Sequence, residues 1–149
     1  MKGRCTCGEV SFELKAAPMF VHCCHCTWCQ RETGTAFALN ALIENANVEV
    51  SGETEVHTLP SASGGGQIVH RCPTCKVALW SHYSNPKMAF VRVGTLDDAA
   101  KVAPDVHIYT TTKLPWVNIE GGAPIFEAYY KPRELWSAEA QARYKALLD

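Results

Sequence analysis

The chain has 149 residues and a formal net charge of −1, with 47% apolar and 19% charged residues. That length builds one domain around one sizeable core, and the composition is ordinary for a globular protein. A charge near zero with both signs interspersed argues against a nucleic-acid binder, which carries a basic surplus. No run reaches the ~18 apolar residues of a membrane span.

The first residues, Met1-Lys2-Gly3-Arg4-Cys5, lack the apolar core of a signal peptide. The expected compartment is the reducing cytoplasm, where closely spaced cysteines serve as metal ligands rather than as disulfides.

In chain order, Cys5-Thr6-Cys7-Gly8 predicts a turn in which Gly8 takes positive φ. Residues 9–14 alternate apolar and polar, so Val10, Phe12 and Leu14 should face a core from a strand. Met19–Cys24 is a second strand. Residues 36–43 are a short apolar run, read as a buried strand. Val48–Val50 and Glu55–Leu59 flank a turn at Ser51-Gly52-Glu53.

Pro60 to Gly66 is the linker-like segment, expected to be a mobile loop within the domain. Its three glycines lack the lysine and helix of a phosphate loop. Gln67–Arg71 and Val77–Tyr83 are strands joined by Cys72-Pro73-Thr74-Cys75, a zinc knuckle on a hairpin. Met88–Val93 and Val106–Tyr109 are further strands, with a single helical turn starting at Asp97.

Only the C-terminus reads as helix, over 135–148. Ser137 can cap it, and Trp136, Ala140 and Tyr144 recur at helical spacing. The expected architecture is one mainly β domain, 1–149, with zinc knuckles and this short helix.

Eight cysteines set the chemistry. Cys23, Cys24, Cys26 and Cys29 lie within one short stretch, and the others fall in two pairs, Cys5/Cys7 and Cys72/Cys75. In an extended segment, residues two apart share a face. Cys24 and Cys26 therefore face one way and Cys23 the other, and a turn brings Cys29 back to the first two. Cys23 then reads as a small buried thiol.

Cys5 and Cys7 likewise share a face, and Cys72 and Cys75 complete the four ligands of a closed zinc site. The count gives two Zn²⁺ per chain, one Cys₄ and one Cys₃. Spacing alone leaves open that Cys5/Cys7 meet Cys24/Cys26 instead. The long loop between residues 7 and 72 costs entropy only logarithmically.

Structural zinc sites are closed, and reactive ones keep a position open, so Cys24, Cys26 and Cys29 are the candidate catalytic centre. Zinc with three thiolates carries a net −1 and polarises water poorly compared with zinc on neutral histidines. A soft site with a vacancy suits a fourth sulfur. The substrate is thus expected to bring a thiol, and the reaction to make or break a carbon–sulfur bond.

The pattern Gly3-x-Cys5-x-Cys7-Gly8, then His22-Cys23-Cys24-x-Cys26-x-x-Cys29-x-Arg31-x-x-Gly34, then Cys72-x-x-Cys75, resembles the glutathione-dependent formaldehyde-activating enzyme family, also called the CENP-V/GFA domain. Gly94-Thr95-Leu96-Asp97, Pro104-x-x-His107-Ile108, Lys113-x-x-Trp116 and Pro124-x-Phe126 extend the resemblance over about residues 3–127. The resemblance implies an Mss4-like β fold and a carbon–sulfur lyase that joins formaldehyde to glutathione as S-hydroxymethylglutathione. It also implies a structural zinc on Cys5, Cys7, Cys72 and Cys75 and a second on Cys24, Cys26 and Cys29. One departure is Lys76, where the family pattern has glycine after the knuckle, so a distorted turn is expected there. The rival reading is a non-catalytic Mss4-like interaction or chaperone module.

Further candidates surround the cluster. His22 lies on the face of Cys24 and His25 on the opposite one, both read as hydrogen-bonded structural groups. Trp28 should lie near the metal. Arg31, Lys113 and Trp116 are the candidate contacts to an anionic thiol such as glutathione. His57, His70, His82 and His107 read as structural.

Overall fold

The computed structural model describes residues 1–149. Ten strands form two sheets. β1 (Lys2–Arg4), β2 (Ser11–Leu14) and β5 (Val48–Ser51) make a three-stranded sheet in the order β1-β2-β5. The larger sheet contains β3 (Phe20–Cys24), β4 (Ala38–Glu44), β6 (Glu55–Leu59), β7 (Gln67–Arg71), β8 (Ala78–His82), β9 (Met88–Arg92) and β10 (Val106–Ile108). Its order is β10-β3-β4-β9-β8-β7-β6. Neighbours are antiparallel except β10, which runs parallel to β3. The mainly β class read from the sequence is therefore what the chain adopts.

Alternation decides which residues go inside. Val10, Phe12 and Leu14 are all buried, and Gly3 on the neighbouring strand lies against them. A Cβ on Gly3 would sit 2.3 Å from the Phe12 ring, so only glycine lets β1 approach that closely. These side chains join Val21, Ala41, Ile43, Leu79, Trp80 and Val91 in the larger of two cores, which also takes in Cys5 and Cys72.

The second core contains Cys24, Cys26, Leu42, Val106 and Ile108, together with Tyr130, Trp136 and Ala140 from the C-terminal segment. That segment is tied on by backbone pairing. His107 donates to the Pro124 carbonyl and Phe126 donates back to His107, both at 2.9 Å. It then forms two helices, α2 (Pro132–Leu135) and α3 (Ala138–Ala146). The single expected helix over 135–148 is thus split at Trp136–Ser137. Ser137 caps α3 by accepting from the Ala140 N–H. Pro132 at the first position of α2 is the start signal that the spacing argument passed over.

The other difference is α1 (Thr27–Thr33), where a turn was expected. Cys26 caps it, its Sγ accepting the Cys29 N–H at 3.3 Å. Gly34 ends it at φ +68° with its N–H on the Gln30 carbonyl. Cys26 is outside the usual set of capping residues, which hid the helix start. Gly34, three residues beyond Arg31, was the visible stop signal.

Lys76 takes φ +62°, the left-handed conformation that suits glycine. The knuckle turn is not distorted by it. The Lys76 N–H bonds the Cys72 carbonyl at 3.0 Å, and its Nζ pairs with Glu55 at 2.9 Å. No helix is long and apolar enough to cross a membrane.

Candidate metal centres and the cavity above one of them

Two clusters of sulfur form. Cys5, Cys7, Cys72 and Cys75 bring their Sγ atoms within 4.8 Å of one another. The Cys5–Cys7 separation is 3.5 Å and Cys7–Cys72 is 3.6 Å. Sulfurs at the corners of a zinc tetrahedron stand about 3.8 Å apart, given Zn–S of about 2.3 Å. The donor set therefore fits a closed tetrathiolate site. The turn after β1 supplies two ligands and the β7–β8 hairpin the other two. The backbone N–H groups of Cys7 and Val77 pull the Cys75 thiol down to about 6, favouring the thiolate that a metal needs.

Cys24, Cys26 and Cys29 form the second cluster, also within 4.8 Å. Cys24 ends β3, Cys26 caps α1, and Cys29 sits in the first turn of α1. Their shared geometry comes from a strand running into a helix. Hydrogen bonds to Cys26 and Cys29, together with burial, push the Cys24 thiol far up. Cys26, accepting from the Cys24 and Cys29 thiols, is pulled down to about 2. A divalent soft metal fits this donor set with one position to spare.

A third group lies on the opposite face of β3. His107 stands directly across from Cys23 in the parallel pair, and His25 Nε2 is 3.0 Å from His107 Nδ1 and 3.6 Å from Cys23 Sγ. All three are buried. The expectation of a small buried thiol at Cys23 described its burial but missed these partners. His25 Nδ1 and His107 Nε2 have no partner. One shared proton between the rings leaves a single unpaired N–H, whereas a metal on the facing nitrogens would leave two. Metal-bound histidines nearly always donate their second N–H, so this group is best described as a hydrogen-bonded pair packed behind the strand. Burial holds His25 at about 4, so its ring is neutral.

Above the trio lies a cavity of about 420 Å³. Cys24, Cys26 and Cys29 line it, as do His22, Asn40 and an aromatic wall containing Trp28, Tyr83, Phe90, Tyr109, Tyr129 and Tyr144. Ser61, Ala62 and Ser63 line it too, so part of the expected mobile loop forms a wall. His22 is buried and its Nε2 lies 2.6 Å from the Tyr130 hydroxyl, which also accepts from Trp136 Nε1 at 2.7 Å. Desolvation pushes His22 down to about 4. Tyr109 has φ +54°, an uncommon backbone state for a non-glycine residue, at the point where the chain leaves β10 beside the thiols.

Three expected substrate contacts stand elsewhere. Arg31 is exposed on α1 and does not line the cavity. Lys113 Nζ is used up on the carbonyls of Leu114 and Val117, at 3.2 and 2.6 Å. Trp116 is 71% exposed. Lys113 and Trp116 follow the 3₁₀ turn Thr110–Thr112, which is tied to the His25 carbonyl and to Gln30, and the residue of this stretch that lines the cavity is Tyr109. The tyrosines that do line the cavity were missed. Tyr129 precedes α2, and Tyr144 was read only as one position of a helical stripe.

The charge near the trio is also arranged from behind. Arg92 donates to Asn40 and lies 3.5 Å from Glu32, and Arg71 donates to that same carboxylate. Two guanidinium groups around one buried carboxylate leave one positive charge behind the wall, outside the cavity lining.

The fold and the two thiol clusters define a mainly β, cysteine-rich protein with two soft-metal donor sets. The glutathione-dependent formaldehyde-activating enzyme model matches residues 1–112, and the chain belongs to that family. A crystal structure of a Rhodobacter sphaeroides protein is similar at 24% identity with a TM-score of 0.51, covering 70% of this chain and 92% of that one. This second likeness concerns the fold alone.

Proposed function

We propose that the protein is a zinc-dependent carbon–sulfur lyase-type enzyme acting on the adduct of a small thiol with an aldehyde. The family description points to the pairing of glutathione with formaldehyde, S-hydroxymethylglutathione, as one such adduct. The observation that carries this reading is the contrast in ligand number. The three-cysteine set opens into a cavity, whereas the four-cysteine set closes on itself. Family membership supports it.

A zinc ion on Cys24, Cys26 and Cys29 would offer an open position for a thiol sulfur and keep that sulfur deprotonated at neutral pH. The remaining work falls to the chain. α1 and β3 fix the three donors before substrate arrives, so little ordering is left to do on binding. The aromatic wall excludes water and strengthens polar contacts inside. Asn40, its Oδ1 held by Arg92, offers its amide N–H groups to the adduct oxygen. Burial raises the Tyr83 phenol, so its O–H stays a donor at working pH. Cysteines read as thiolate ligands rather than as disulfides support a reducing compartment such as the cytoplasm as the place of this chemistry.

The test is NMR of formaldehyde mixed with a panel of thiols, with and without the zinc-loaded protein. Faster adduct formation or breakdown, lost in Cys24→Ser, is the expected result. No acceleration with any thiol would remove the enzyme reading and leave a zinc-binding module.

A further inference from the structure

The wall of the cavity has a property the thiolate floor does not explain: it contains no lysine, arginine, aspartate or glutamate. Its polar members are His22, Asn40, Gln67, Ser84, Asn85 and the serines of the 61–63 loop, beside the tyrosines. Gln67 Oε1 is buried without a partner and leaves an acceptor for a neutral donor. The nearest guanidinium, Arg92, is already engaged with Asn40 and Glu32 and does not line the space. The single surplus positive charge of Arg71, Arg92 and Glu32 balances the net −1 of a zinc trithiolate. None is left to receive a substrate carboxylate.

A peptide thiol such as glutathione carries two carboxylates. Placed here, they would meet aromatic faces, neutral amides and an anionic floor, and an unpaired buried carboxylate is strongly disfavoured. Size does not decide the matter, since 420 Å³ lies within the ordinary range for small-molecule sites. Charge and wall chemistry decide it. Aromatic side chains instead favour a ring through edge and offset contacts.

The origin of the wall matters as well. The family match ends at residue 112 and contains all three floor cysteines. Tyr129 and Tyr144 lie beyond it, held in place by the Tyr130, Trp136 and His22 hydrogen bonds. The family portion thus supplies the thiolates, and the C-terminal segment supplies one side of the binding wall.

We propose that the thiol partner is an uncharged one carrying an aromatic ring, of the arylalkyl thiol class, and that Tyr129 and Tyr144 select it. This rests on the reading of the cavity as a thiol site and narrows its substrate.

The test uses the full metal-loaded chain and reads binding by calorimetry, with metal content measured alongside. The probes are phenylmethanethiol, its non-thiol analogue toluene, glutathione, and glutathione dimethyl ester, in which both carboxylates are masked. Phenylmethanethiol should bind at least tenfold more tightly than glutathione, and the ester should fall between them. Tyr129→Ala and Tyr144→Ala should each weaken phenylmethanethiol several-fold at unchanged metal content. Tyr129→Arg should narrow the gap by improving glutathione.

Glutathione binding as well as or better than phenylmethanethiol overturns the proposal and leaves the thiol-site reading intact. An aromatic preference unmoved by all three tyrosine variants overturns the role given to the wall. If no thiol binds, or toluene binds as tightly as phenylmethanethiol, the thiol-site reading itself fails.

Discussion

Cys5, Cys7, Cys72 and Cys75 close on one another at the edge of the larger core, between a turn and a hairpin distant in sequence. Cys24, Cys26 and Cys29 come from a single strand–helix junction and form the floor of a cavity. The first arrangement staples parts of the chain that otherwise meet through packing and an exposed hydrogen bond from Thr74 to Glu9. The second staples almost nothing, because β3 and α1 are already consecutive. A metal at the first site would thus contribute to folding, and a metal at the second would, on the proposed function, contribute chiefly to chemistry. The same ligand type serves both ends because sequence separation, rather than thiol chemistry, sets how much chain entropy a site removes.

The largest expected effect breaks this contrast if it is wrong. Cys72→Ser should abolish cooperative folding, since a structural zinc site contributes on the order of 10 kcal/mol, as much as a whole domain's stability. Cys24→Ser should leave a folded protein whose melting temperature, followed by circular dichroism, shifts by only a few degrees. Equal loss in both variants would erase the distinction between staple and floor. Next in size is a chelator titration at neutral pH. One metal should leave with the fold intact and the second only as the fold is lost, read by metal analysis and circular dichroism together.

These sites were legible in the sequence because sulfur density and the Cys-x-x-Cys spacing survive any choice of secondary structure. The 24/26/29 set would meet whether 27–33 was a turn or a helix. The strands were legible because β2 alternates and β4, β8 and β9 are short apolar runs. The cavity wall was not. Tyr109, Tyr129 and Tyr144 are far apart in the chain and converge only because residues 124–126 pair beside β10. Nothing local encodes that pairing. Arg31 and Lys113 drew attention as cations, but whether a cation faces a site depends on which way the backbone leaves the preceding element. The Cys23–His25–His107 contact was hidden likewise, because it needs the register of a parallel pair between residues 84 apart.

A smaller effect concerns how the C-terminal segment is held over the cavity. Arg143 donates to both oxygens of Glu44, at 2.7 and 2.6 Å, joining α3 to β4. Hydrogen bonding from Arg143 holds the Glu44 carboxyl down at about 2. A carboxyl depressed in the folded state adds stability above its unfolded value near 4.5, and that stability is lost as pH falls toward 2. Arg143→Met should therefore cost about 1–3 kcal/mol near neutral pH and flatten the acid limb of the stability profile. Denaturant melts between pH 7 and pH 3 would show it, and an unchanged profile would mean α3 is held by its apolar face alone.

The smallest effect lies at the knuckle. Lys76→Gly relieves a left-handed backbone state worth about 1 kcal/mol but loses an exposed ion pair with Glu55 and adds chain entropy to the unfolded state. A net gain of a few tenths of a kcal/mol is expected in a thermal melt of the metal-loaded protein, with metal affinity unchanged.

The most direct measurement of the central claim is X-ray absorption of the zinc-loaded chain before and after adding phenylmethanethiol. With four cysteines at one site and three at the other, the mean sulfur count per zinc should start at three and a half and rise to four. A count that begins at four, or stays at three and a half at saturating thiol, would contradict an open trithiolate floor awaiting a substrate sulfur.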